Sequence, residues 1–100
     1  MNVEWTDNAL AQLKGIHDYI ARDSDFFAKR MVDRLTSRSI QIHEHPFSGE
    51  IVSEFGDVTV REVIEGPFRM IYRISAPTLF VLAVIHGSRL LTPESIGKPG

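Results

Sequence analysis

The spacing of apolar residues changes once along this 100-residue chain, close to Pro46. Before that proline, apolar residues recur every three or four positions, which is the period of an amphipathic helix. After it, apolar and polar residues alternate, which is the period of a strand with one buried face. Helices in the first half and strands in the second half predict an α+β fold, with the helices on one face of a sheet.

Two helices are predicted before Pro46. The first runs over 7–21 with Thr6 or Asp7 as N-cap, and the second runs over 25–44 with Ser24 or Asp25 as N-cap. Gly15 weakens the first helix by about 1 kcal/mol relative to alanine, so the two helices are expected to pack closely there. The apolar stripes are Ala9, Leu10, Leu13, Ile16 and Ile20 in the first helix, and Phe27, Ala28, Met31, Val32, Leu35 and Ile42 in the second.

Strands are predicted mainly in the second half. The segments 58–64 and 68–74 alternate and are joined by a hairpin turn at 65–67. The segment 79–87, LFVLAVIHG, is apolar on both faces, so it is predicted to be a strand covered on both sides. MNVEW and IVSEF (51–55) are shorter strand candidates.

The expected fold is therefore an N-terminal antiparallel helical hairpin packed on one face of a small antiparallel β-sheet. One domain over 1–100 suits the length of the chain. The segment 88–100 is short and rich in Pro and Gly, so it is expected to be a flexible tail.

The segment GPFRMIYRI, residues 66–74, combines two arginines with bulky apolar side chains. Side chains of a strand point alternately to its two faces. One face is apolar and is predicted to pack under the helices; it carries Phe68, Met70, Tyr72 and Ile74. The other face is predicted to be open to water or to a partner; it carries Arg69, Ile71 and Arg73.

Further cations are predicted to join Arg69 and Arg73. Arg61 lies on the preceding strand and can share their face, and His86 and Arg89 come at the end of the last strand. Cations clustered on one face favour a recognition surface. The alternative is that each arginine forms a surface ion pair of little effect on stability; the acids available are Glu54, Asp57, Glu62 and Glu65.

A second row of arginines lies on the second helix. Arg30, Arg34 and Arg38 follow one another at intervals of four residues, so they line one edge of the apolar stripe. This row is either a solvated helix flank or the edge of a groove for an acidic partner.

Composition argues against several classes of function. A net charge of −2 is unlike a protein held to nucleic acid by phosphate contacts, so no sequence-specific nucleic-acid binding is expected. The absence of cysteine excludes disulfides and thiol nucleophiles. No segment has the pattern of a membrane span or signal peptide, so a cytoplasmic location without a membrane partner is expected. HEH at 43–45 is a weak metal motif, and neither metal nor cofactor is expected.

The order of these segments resembles the RelE/ParE superfamily of bacterial toxins from type II toxin–antitoxin pairs. The resemblance runs over nearly the whole chain, through ALAQLKGIHDYIA, a second amphipathic helix, HPFSGEIV, GPFRMIYRI and LFVLAVIHGSR. The spacing from FRMIYRI to IHGSR is its most specific part. The resemblance implies the fold described above and a cognate antitoxin, whose flexible segment folds over the apolar and arginine-bearing surface of the toxin.

The superfamily contains two activities. RelE-like members are ribosome-dependent endoribonucleases, which cleave mRNA with basic residues on the sheet and a tyrosine or histidine near the C-terminus. ParE-like members lack that set and poison DNA gyrase. The resemblance alone therefore implies either a nuclease site or a gyrase-binding surface, and particular residues distinguish the two.

Most of these residues favour the ParE branch. Arg69 and Arg89 match arginines of the superfamily, but two lysines of the nucleases correspond here to Val60 and Glu62, and Glu62 would repel an RNA phosphate. The segment TPESIGKPG contains no aromatic residue. His86 is the one candidate base, in an IHG context similar to ParE. The resemblance thus implies a gyrase inhibitor with no catalytic residues.

Two alternatives stay open. One is a nuclease that uses Arg61, Arg69, His86 and Arg89. The other is a non-toxic module that only binds an antitoxin, because a fold can survive without its activity. For a gyrase inhibitor, the residues predicted to contact the antitoxin or the target are Arg61, Arg69, Arg73, Arg89, Arg30, Arg34 and Arg38.

Overall fold

The computed structural model describes residues 2–89 and 91–97. Its elements are β1 (Asn2–Trp5), α1 (Asp7–Ala21), α2 (Asp25–Glu44), a 3-10 turn (Pro46–Ser48), β2 (Glu50–Ile51), β3 (Val60–Glu65), β4 (Phe68–Ser75), β5 (Thr78–His86) and a second 3-10 turn (Pro93–Ile96). Two helices pack against an open sheet of five strands. The predicted α+β fold class is confirmed.

The sheet has the strand order β1-β5-β4-β3-β2. The pairs from β2 to β5 are antiparallel, as predicted, whereas β1 pairs with β5 in parallel. The sequence did not indicate this parallel edge, because the whole helical hairpin and three strands separate the two partners. The predicted strand 51–55 is also wrong in extent, since β2 ends at Ile51 and the chain then turns.

Side-chain caps set the beginnings of both helices. The Thr6 hydroxyl accepts from the backbone N–H of Ala9, and the Ser24 hydroxyl accepts from that of Phe27. Both helices begin and end at the residues predicted. The apolar stripes are wrong at two positions: Leu10 is 48% exposed and Phe27 is 60% exposed.

The main core fills the space between the helices and the sheet. It contains Ala9, Leu13, Leu35, Ile42, Val63, Met70, Tyr72, Ile74, Leu79, Val81 and Val84. A second cluster covers the opposite face of the sheet and contains Val52, Val60, Ile71, Leu82, Ala83, Ile85 and Leu91. Strand β5 is therefore covered on both sides, as predicted. We call this face of the sheet, which points away from the helices, the far face. It was predicted to be open to water or to a partner, and that prediction is wrong around Ile71, which is completely buried.

Part of the C-terminal segment packs on the domain. Leu91 belongs to the second cluster, and the side-chain amides of Asn8 and Gln12 donate to the Ser95 carbonyl at 2.9 and 2.8 Å. This packing differs from the free tail expected over 88–100. Residues 90 and 98–100 of that tail lie outside the described residues.

Gly15 does not serve helix packing. An ideal Cβ at this position would have no atom of the described residues within 4 Å, apart from its own helix backbone and chain neighbours, so the expectation of close helix contact there is wrong. We expect Gly15→Ala to raise the free energy of unfolding by about 0.5–1 kcal/mol, because alanine loses less backbone entropy on folding. Urea denaturation measures this change.

Gly66→Ala is the control for that measurement, because it is expected to change stability in the opposite direction. Gly66 has a φ of 58°, and a Cβ there would lie 3.2 Å from the Arg34 guanidinium. Gly66→Ala is therefore expected to destabilise the protein. Equal effects of the two substitutions would contradict the packing described for Gly15.

Candidate functional site

Arg69 is a partly buried residue of the sheet that forms two salt bridges within the domain. It lies on the far face, opposite Ile64 and Ile85, and its side chain is only 13% exposed. One terminal nitrogen donates to Glu62, and the other donates to Glu54 at 3.3 Å. The hydrogen bond to Glu62, helped by the one to Glu54, raises the pKa of Arg69 although burial opposes this. Ion pairing, the alternative raised for these arginines, describes Arg69.

Arg73 lies on the same face but is exposed. It stands opposite Val60 and Phe80. Among the described residues the arginines that form salt bridges are Arg34, Arg38 and Arg69, and Arg73 is not one of them. Its guanidinium is therefore available to a partner.

Arg61 lies on the other face of the sheet. It stands opposite Tyr72, so the prediction that it shares a face with Arg69 is wrong. Its Nη1 donates to the carbonyls of Phe47 and Gly49 at 3.1 and 3.0 Å, and its guanidinium lies 5.2 Å from the centre of the Phe47 ring. Arg61 thus holds the segment after α2 against the sheet.

Tyr72 holds the same segment from within the core. It is completely buried on the helix-facing side, as predicted. Its hydroxyl donates to the Pro46 carbonyl at 2.6 Å and accepts from the Gly49 amide at 3.2 Å. Burial raises the pKa of Tyr72, so the phenol keeps its proton and can donate. This contact was missed from the sequence; the only signal for it is a polar hydroxyl at a core position.

His86 and Arg89 line a groove beside α1, at the end of β5. The His86 ring meets the edge of Phe68 with 6.0 Å between ring centres, and its Nδ1 lies 2.7 Å from the Ser88 hydroxyl. The groove has a volume of about 440 Å³. Its other lining is largely apolar and includes Gly15, Ile16, Tyr19, Ile20 and Val84.

The alternative nuclease set is not assembled. His86 on β5 stands opposite Phe68 of β4, while Arg61 on β3 stands opposite Tyr72 of β4. The two residues are therefore offset by about 13 Å along the strand direction at the usual rise of a strand, and β4 lies between their strands. Arg69 points from the opposite face, where Glu62 and Glu54 surround it. Of the four residues, only His86 and Arg89 line the same groove.

The arginines of α2 come together as predicted. Arg30, Arg34 and Arg38 line one cleft with Glu65 of β3. Arg34 Nη2 lies 2.7 Å from the Glu65 carboxylate, so part of this row is ion-paired. The row is thus more than a solvated helix flank.

Neither a metal site nor a membrane span is present within the described residues. No group of three His, Asp or Glu side chains there is arranged to hold a metal ion. No helix in that part of the chain is long and apolar enough to cross a membrane.

The fold and these surfaces define a class of protein: a small α+β domain with two helices on an open five-stranded sheet that carries arginines on both faces. Residues 3–91 match the sequence model of the family described as the ParE toxin of the type II toxin–antitoxin system parDE. The chain therefore belongs to the ParE toxin family. The predicted superfamily and branch are confirmed.

Individual proteins are also similar to this chain. The protein named Toxin RelE2 from Caulobacter vibrioides is 33% identical over 89 residues, which cover 88% of this chain and 97% of that protein. A solved structure described as the chromosomal ParDE TA system from P. aeruginosa matches with a TM-score of 0.70 and 22% identity, over 86% of this chain and 95% of the other. The second match establishes the fold alone.

Proposed function

We propose that this chain is a ParE-type toxin that arrests growth by inhibiting DNA gyrase in the cytoplasm and is neutralised by a cognate antitoxin. The observation that carries the choice of gyrase over ribosome is the cluster of Arg69, Glu54 and Glu62. Two carboxylates around one guanidinium leave a negative charge at the place where a nuclease needs free cations for a phosphate. The choice of gyrase as the target rests on the ParE branch of the superfamily, to which this chain belongs.

Exposed apolar side chains support the antitoxin as a partner. Large apolar side chains that face water on a small domain are typical of surfaces that a partner covers. The helices expose Leu10, Tyr19, Phe26, Phe27 and Ile40, and the groove beside α1 adds an apolar recess. A segment that folds on binding would bury this surface. The antitoxin gene is expected beside the toxin gene, as a short reading frame with a DNA-binding N-terminal part.

A nuclease that uses His86 is the second candidate, because His86 and Arg89 line one groove. The two candidates are separated by adding purified protein to a gyrase supercoiling assay and to mRNA on translating ribosomes. We expect loss of supercoiling and intact mRNA. His86→Ala is expected to inhibit gyrase within about twofold of wild type, since inhibition by binding needs no general base.

Two controls make this assay decisive. Prior addition of the antitoxin is expected to restore supercoiling, and expression without the antitoxin is expected to stop growth. Codon-specific mRNA cleavage that His86→Ala abolishes, with normal supercoiling, would replace the proposal by the nuclease. Normal growth on expression, together with tight antitoxin binding, would indicate the non-toxic module.

A further inference from the structure

A cleft runs along one side of α2 and ends at the β3–β4 hairpin. Because successive arginines are four residues apart, their side chains stand one above another on the helix. The cleft has a volume of about 320 Å³. We call it the arginine cleft; its lining is Arg30, Asp33, Arg34, Ser37, Arg38, Gln41 and Glu65.

The arginine cleft already holds one carboxylate of the chain itself. Arg34 donates to the same oxygen of Glu65 through Nε at 3.3 Å and through Nη2 at 2.7 Å. Gly66 makes room for this pair, because a Cβ there would lie 3.2 Å from Arg34 Nη2. The shape and charge of the cleft therefore suit a carboxylate that meets a planar guanidinium.

The Glu65 carboxylate forms hydrogen bonds with Arg34 but not with Arg38 or Arg30. Arg38 Nε lies 3.8 Å from the other oxygen of Glu65, which is too long for a hydrogen bond. This buried nitrogen has no hydrogen-bond partner within the described part of the chain. Arg30 is exposed and forms no salt bridge with any described residue, unlike its two neighbours in the row. With Asp33 and Glu65 counted against the three arginines, the cleft keeps a formal charge of +1.

We propose that the arginine cleft binds an acidic peptide segment, and that Glu65 competes with this segment for Arg34 and Arg38. The inference rests on the proposed function only in naming the antitoxin as the source of the segment. A charge of +1 is too small to hold a nucleic acid, whose binding depends on many phosphate contacts. One or two carboxylates, in contrast, match the guanidinium groups that Glu65 leaves available.

Synthetic probes test this inference without the antitoxin. Fluorescein-labelled hexaglutamate is titrated with the protein at low salt, with labelled hexaglutamine and a labelled single-stranded oligonucleotide as comparison probes. We expect hexaglutamate to bind and to dissociate as salt rises, hexaglutamine not to bind, and the oligonucleotide to bind more weakly than hexaglutamate.

Three substitutions locate the binding. Arg38→Ala is expected to weaken hexaglutamate binding about tenfold, which corresponds to the loss of one charged contact. Glu65→Gln keeps the shape of the side chain but removes the competing charge, so it is expected to tighten binding severalfold. Lys29→Ala removes an exposed cation of the same helix that lies outside the cleft lining, and it is expected to change binding less than twofold.

Several outcomes would overturn the inference: no detectable hexaglutamate binding, weaker binding by Glu65→Gln, or equal losses in Arg38→Ala and Lys29→Ala. Tighter binding of the oligonucleotide would assign the cleft to nucleic acid instead. Melting curves verify that each variant is folded. The gyrase assay is read separately, so normal supercoiling would refute the proposed function while the peptide result stands.

Discussion

Tyr72→Ala is expected to lower the free energy of unfolding by about 3–5 kcal/mol, as truncation of a core aromatic residue does. Tyr72 is completely buried in the main core, so alanine leaves a cavity there. The change also removes the hydrogen bonds to Pro46 and Gly49. In a domain of this size the melting temperature should fall by at least about 12 °C. Thermal and urea melts followed by circular dichroism measure the effect.

Tyr72→Phe is the matched control for this prediction. It keeps the ring and removes only the hydroxyl, so that the Pro46 carbonyl and the Gly49 amide lose a partner. A loss of about 1–3 kcal/mol is expected for unsatisfied buried groups. If Tyr72→Ala were as stable as wild type, the two faces of β4 would have to be exchanged.

The placement of Tyr72 shows what the sequence could predict. Alternation alone separates Tyr72 from Arg73, because neighbouring side chains of a strand must point to opposite faces. The helix limits were equally accessible, since Thr6 and Ser24 are hydroxyl caps placed directly before apolar stripes. These features depend on residues close together in the chain.

The face of Arg61 was missed because it depends on the pairing of two strands. Alternation assigns faces within one strand, and only the register decides which faces of two strands coincide. Here a turn of two residues at Gly66–Pro67 sets Glu65 opposite Phe68, and this brings Arg61 opposite Tyr72. The hairpin turn predicted over the three positions 65–67 is one residue too long, and this single residue places Arg61 on the wrong face.

The covering of the far face was missed for a related reason. Val52 and Leu91 are buried there, but each lies in a segment without a helical or alternating period. Periodicity therefore gives no signal for their burial. The consequence for the candidate site is direct, because the segment that carries Val52 also brings Glu54 to Arg69. Two arginines that looked equivalent in sequence thereby acquire different surroundings.

That difference leads to the second large expected effect. Arg73→Ala is expected to weaken antitoxin binding by about 2 kcal/mol or more, the usual cost of truncating a charged contact at a buried interface. This corresponds to a rise in Kd of about thirtyfold. Arg73 is exposed and forms no salt bridge among the described residues. The substitution should therefore change the free energy of unfolding of the protein by less than about 0.5 kcal/mol. Binding isotherms and melting curves on the same preparation measure both quantities.

Arg69→Ala is the comparison variant for the binding and stability measurements on Arg73→Ala. Its removal leaves Glu62, a side chain only 17% exposed, without its charged partner, so a loss of about 1–3 kcal/mol in stability is expected. Any change in its antitoxin affinity is then inseparable from damage to the sheet, whereas a change in Arg73→Ala reports on the contact itself. Normal binding by Arg73→Ala would make Arg73 a solvated side chain. The recognition surface would then have to be sought on the helices, in the groove beside α1 and in the arginine cleft.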